Sequence, residues 1–183
     1  MLHSDQGVRR ASLAWMPVAL FGYALSKSWI RLASPFLAES RTLIPHLNFD
    51  LLFTFSAVLI AVLSLAFPSS RVKRCLLPVS ILALIASSVM MLLTLSFPET
   101  SEVLGVAVRV TGAFGVMGMA VLWTDLYALL NPARAAFFAA GSVVLSWGLC
   151  YLVELNPPYR LLVIMVVFAL LAWWAYSQAR REV

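Results

Sequence analysis

Few side chains in this 183-residue sequence could do chemistry, and their types and spacing narrow what that chemistry is. Lys27 and Arg109 each interrupt a long apolar run. A permanent cation in such a run points to an anion, either as a fixed partner or as a ligand. His3 and His46 are the only histidines, one near the N-terminus and one in a polar gap. Asp125 and Glu154 are expected near opposite membrane faces, so they cannot work as a paired acid and base. No HExxH, CxxC, phosphate-cradling glycine loop or GxSxG elbow occurs. The residues point to binding, not catalysis, and neither a metal nor a cofactor is expected.

The elements that must position Lys27 and Arg109 follow from composition. Apolar residues make up 62% of the chain and charged residues 11%, with a mean hydropathy of +0.94. Soluble domains are about 45–50% apolar and about 25% charged. There is too little polar surface here to cover a core in water, so the predicted fold class is all-α, a polytopic integral membrane protein in contact with lipid. Prolines and short polar clusters separate six apolar runs, at 11–30, 51–67, 75–97, 103–130, 135–153 and 161–176. A bilayer core about 30 Å thick needs roughly 20 helical residues. The expectation is a single domain of six spans. Trp and Tyr prefer the headgroup level, and Trp29, Trp123, Trp147, Trp173 and Trp174 fall towards the ends of these runs, whereas Tyr23 sits deep.

Short-loop charge sets the expected orientation. With the N-terminus inside, eight of the thirteen basic residues lie in inner segments: Arg9, Arg10, Arg71, Lys73, Arg74, Arg134, Arg180 and Arg181. Arg31, Arg41 and Arg160 lie in outer ones, and Lys27 and Arg109 within spans. The asymmetry predicts both termini in the cytoplasm of a bacterial cell, with the bundle in its plasma membrane. Arg9-Arg10 and the apolar run up to Ser26 have the parts of a signal peptide. The run continues to Trp29, however, and suits a first span better. The basic residues are scattered, so no nucleic-acid-binding face is expected. Cys75 and Cys150 belong near opposite membrane faces, too far apart for a disulfide.

Small residues carry the packing signal, because close approach in lipid depends on them. In the fourth span Ala107, Thr111 and Gly115 recur every four residues, with Gly112 and Gly118 beside them. In the fifth, Ala135, Ala139, Ser142 and Ser146 form a second stripe. Both spans are expected in the interior of the bundle.

Two likenesses follow from these segments. "PSSRVKR" after the second span and "RVTGAFG" in the fourth resemble the N-terminal half of the major facilitator superfamily, with its basic loop between helices two and three and its arginine-glycine pattern in helix four. "FGYALSKSWIRLASPFL" and "GMAVLWTDLYALLNPARAA" resemble the first and fourth helices of the membrane modules that precede the helix-turn-helix domain in LuxR-type bacterial regulators. The second likeness implies a sensory, ligand-binding module. The first implies half of a solute carrier, completed by a second half or by a homodimer. A membrane assembly protein without a small ligand is the third expectation.

Arg109 carries three readings. It lies about 9 Å along its helix from the outer end, within reach of the headgroups for a long side chain. It could instead pair with Asp50 or Glu102. It could also join Lys27, expected at comparable depth, in binding a small anionic ligand.

Overall fold

The computed structural model describes residues 16–39, 49–66, 69–97, 101–130 and 132–182. Six helices account for nearly all of them: α1 (Met16–Glu39), α2 (Phe49–Ala66), α3 (Ser69–Ser96), α4 (Ser101–Ala128), α5 (Pro132–Glu154) and α6 (Pro158–Glu182). The described residues contain no strand. The start of the expected first span (11–15), Phe67, His3, His46, Arg9, Arg10 and Arg41 lie outside them.

Five of the helices, α2 to α6, are long and apolar enough to cross a membrane. The chain is therefore a multi-pass helical bundle built for a bilayer. α1 differs, and its interior explains why. It carries Ser26, Ser28, Lys27 and Arg31, which lower its hydropathy, and it buries both serines inside the protein. Ser26 and Ser28 donate to the carbonyls of Gly22 and Ala24 one turn back. Ser28 also lies 3.2 Å from the Ser146 hydroxyl of α5. In lipid such groups need internal partners, and α1 finds them by sitting amid α4, α5 and α6.

Two expectations about α1 need correction. The helix does not stop at Ile30 but runs on to Glu39, so Arg31 is a helix residue and not part of an outer loop. Trp29 is consequently mid-helix and fully buried, and its indole N–H donates to Ser88 of α3 at 3.0 Å instead of reaching a headgroup. Trp123 is likewise fully buried. Trp147, Trp173 and Trp174 remain exposed, as interfacial or lipid-facing rings would be.

Side-chain contacts fix the helix directions. Lys73 at the start of α3 meets Asp125 near the end of α4, and Tyr127 near the end of α4 donates to the Ala19 carbonyl at the start of α1. Ser28 meets Ser146 midway along α1 and α5. The near end, which holds the start of α1, also holds the α2–α3 and α4–α5 junctions and the end of α6. The far end holds the α3–α4 and α5–α6 junctions.

The packing has an internal order. α1 packs chiefly on α6 and α5, and α4 chiefly on α3 and α2. α1 also meets α4, and α3 meets α6. Exchanging α1 with α4, α2 with α5 and α3 with α6 returns the same set of principal contacts. Three helices are an odd number of crossings, so the two units run in opposite directions, as in inverted-repeat membrane folds.

Candidate functional site

The far half of α1 positions the cations. Tyr23, Lys27 and Arg31 are spaced four apart, which stacks them on one helix face. The Lys27 ammonium lies 4.6 Å from the centroid of the Tyr23 ring. The Arg31 guanidinium carbon lies 3.7 Å from the centroid of the Trp147 ring of α5. Each charge thus has an aromatic face beneath it, a contact worth about 0.5–2 kcal/mol depending on desolvation.

Below Lys27, towards the near end, the stripe ends in an aromatic floor. The Tyr23 ring meets Tyr127 edge-on at 5.4 Å and Trp123 at 6.1 Å. Trp123 in turn meets Tyr176 of α6 edge-on at 5.3 Å. These rings join α1, α4 and α6 and close that end of the stripe.

Above Lys27 the stripe borders a cavity of about 250 Å³ between α1 and α5, lined by Arg31, Ser34, Trp147, Cys150, Tyr151 and Glu154. Nη1 of Arg31 is buried and has no hydrogen-bond acceptor among the described residues. Glu154 lines the same cavity and forms no salt bridge with Arg31. The one salt bridge seen among the described residues is Lys73–Asp125 at 2.7 Å, at the near end of α3 and α4. The Arg31 guanidinium belongs to the lining of this cavity, and its planar fork matches a carboxylate or phosphate.

Arg109 sits elsewhere on the bundle. It is half-buried on α4 and already has a partner. Trp29 of α1 touches Gly112 of α4, which sets the register of these antiparallel helices. At about 1.5 Å per residue, this contact and that of Gly22 with Trp123 offset Lys27 from Arg109 by roughly 7–14 Å along the axis. The charged neighbour one turn from Lys27 on its own helix is Arg31. Sequence reasoning missed Arg31 because the apolar run ends at Ile30, which put Arg31 in an outer loop. The four-residue ladder from Tyr23 was the signal that could have found it.

The small residues lie at helix seams. A Cβ at Gly112 would stand 3.0 Å from Ser87 Oγ and from the Trp29 ring. At Gly115 it would stand 2.9 Å from the Ser80 backbone oxygen, and at Gly118 it would overlap the Ser80 hydroxyl. This face of α4 is therefore laid against α3, where Ser87 also donates to the Val108 carbonyl at 3.0 Å. On α5, Ser142 is buried and donates to the Ala139 carbonyl, and Ser146 faces Ser28; Ala139 is half-buried. Two further close approaches were not flagged from spacing: Gly22 of α1 against Ala175 and Trp123, and Gly141 of α5 against Leu20.

No family model, curated protein or solved structure matches the chain. The reading of the site therefore rests on its own geometry. Among the described residues, no group of three or more His, Cys, Asp or Glu is placed to hold a metal ion.

Proposed function

We propose that the chain is a ligand-binding membrane module of the sensory type, which takes a small carboxylate at the far half of α1. The observation that carries this is Arg31, whose guanidinium is stacked on Trp147 and lines a cavity, with one buried nitrogen that has no acceptor among the described residues. Lys27, one turn deeper, adds a second positive charge to the field that an anion meets. Arg109 has its own partner, so its role in this reading is to hold α4 in place. The resemblance to the membrane modules of LuxR-type regulators supports the sensory role. Arg71, Lys73, Arg74, Arg134, Arg180 and Arg181 all lie at the near end. That excess supports a near end facing the bacterial cytoplasm, with the cavity towards the outer surface.

Thermal unfolding of the purified protein with small carboxylates tests the reading. A ligand at 100 times its Kd adds about 2.7 kcal/mol of stability. Wild type should gain several degrees in Tm, Arg31→Gln should gain nothing, and Lys27→Gln should bind more weakly. Arg109→Gln should lower the Tm without ligand yet still respond to it. A wild-type protein whose Tm no carboxylate moves would end the reading.

A second reading is half of a solute carrier of the major-facilitator type. The inverted exchange of contacts between the two three-helix units favours it. The exchange-related helices α2 and α5 are also the least buried of the five apolar helices, and they would face a second half or second copy. Reconstitution in vesicles separates the readings: a carrier moves its bound carboxylate across the bilayer, and a sensor binds it without flux.

A further inference from the structure

We infer that the cavity between α1 and α5 takes a zwitterion, a small α-amino carboxylate with an apolar side chain. This deepens the carboxylate-binding reading above and rests on it.

Two charges of opposite sign line one space without meeting. Arg31 comes from α1 and Glu154 from the last turn of α5, and they form no salt bridge with each other. A ligand carrying only a carboxylate would satisfy the Arg31 donor but bring its charge towards that of Glu154. A ligand carrying only an ammonium would meet the reverse problem with Arg31. A molecule bearing both groups answers both walls at once.

The surroundings fix its orientation. One face of the Arg31 guanidinium is covered by the Trp147 ring, so its donors are offered at the edge. Lys27 lies one turn deeper on the same helix face and reinforces the positive end. Glu154 stands at the C-terminus of α5, where the helix dipole adds partial negative charge and favours a cation. The carboxylate therefore lies towards the middle of α1 and the ammonium towards the far end. Between the charged groups the walls are Trp147, Cys150 and Tyr151, which suit an aliphatic side chain. The volume of about 250 Å³ falls below the range of about 300–1,000 Å³ common for drug-sized ligands, so the ligand is small.

The test compares leucine and alanine with their des-amino acids (4-methylpentanoate and propanoate) and with 3-methylbutylamine. Each is titrated against the full chain in nanodiscs by calorimetry. At least one of the two amino acids should bind ten-fold or more tightly than its des-amino acid, and more tightly than the amine. Glu154→Gln should bring that amino acid down to the affinity of its des-amino acid and leave the latter unchanged or improved. Arg31→Gln should remove both, and Arg31→Lys should restore part of each. The wild-type comparison holds even if a variant fails to fold. If des-amino and amino acids bind equally well to wild type, the zwitterion inference falls and carboxylate binding stands. If none of the five compounds binds, both fall.

Discussion

At the scale of single residues, close approach explains more of this bundle than charge does. Gly22 and Gly148 make a matched pair. A Cβ at Gly22 would stand 2.6 Å from the Ala175 Cβ and from the Trp123 ring, and neither of these can rotate away. A Cβ at Gly148 would meet nothing within 4 Å. Gly22→Ala should therefore destabilise by about 1–3 kcal/mol through overpacking. Gly148→Ala should stabilise by about 0.4–1 kcal/mol, because alanine leaves the unfolded chain less free. Thermal unfolding of both variants in one detergent checks the pair, and equal Tm values would refute the packing. Gly22 was legible in principle, since Ser26 follows it by four residues in the small-xxx-small spacing. Arg109 was legible as a charge inside an apolar run.

At the scale of elements, α3 and α4 form the tightest seam, and Gly115 marks its closest backbone approach. Gly115→Leu would drive a branched side chain into the Ser80 carbonyl. It should cost at least about 1–3 kcal/mol, and more than the same change at Gly148. Most helix ends lie within a few residues of the ends of the apolar runs. α1 departs furthest, its run ending at Ile30 and its helix at Glu39. Ser34-Pro35 looks like a helix end, because proline has no N–H to give to the carbonyl four residues back, at Arg31. In the folded chain the Ser34 hydroxyl takes up that carbonyl at 3.0 Å, so the helix continues to Glu39. A hydroxyl compensating for a missing amide leaves little trace in hydropathy. The misplaced end also hid Arg31 and its cavity. Ser34→Ala should leave that carbonyl without its protein donor and cost about 0.5–1.5 kcal/mol. Carboxylate binding should weaken with it, which calorimetry on the variant would measure.

At the scale of the whole molecule, the arrangement sets a test of orientation. In a cysteine-free background, a cysteine at Lys73 belongs to the near end and one at Tyr159 to the far end. In intact cells an impermeant thiol reagent should label the second and not the first, and labelling at Lys73 would reverse the orientation. The central place of α1 also bears on how the protein is made. Its main supports, α5 and α6, leave the ribosome after α2, α3 and α4. At about 5–20 residues per second, synthesis from Glu39 to Pro132 takes on the order of 10 s. Throughout that interval α1, the one described helix that falls short of spanning hydropathy, has neither of its two chief neighbours. α1 should therefore stay at the insertion machinery and enter the lipid late, together with α5 and α6. Crosslinking of stalled nascent chains would reveal this as persistent contact between α1 and the translocation channel until α6 has emerged. Early release of α1 into lipid would contradict it. The order of synthesis and the order of assembly are thus opposed in this chain, and truncation before α5 should yield a product that membrane proteases remove.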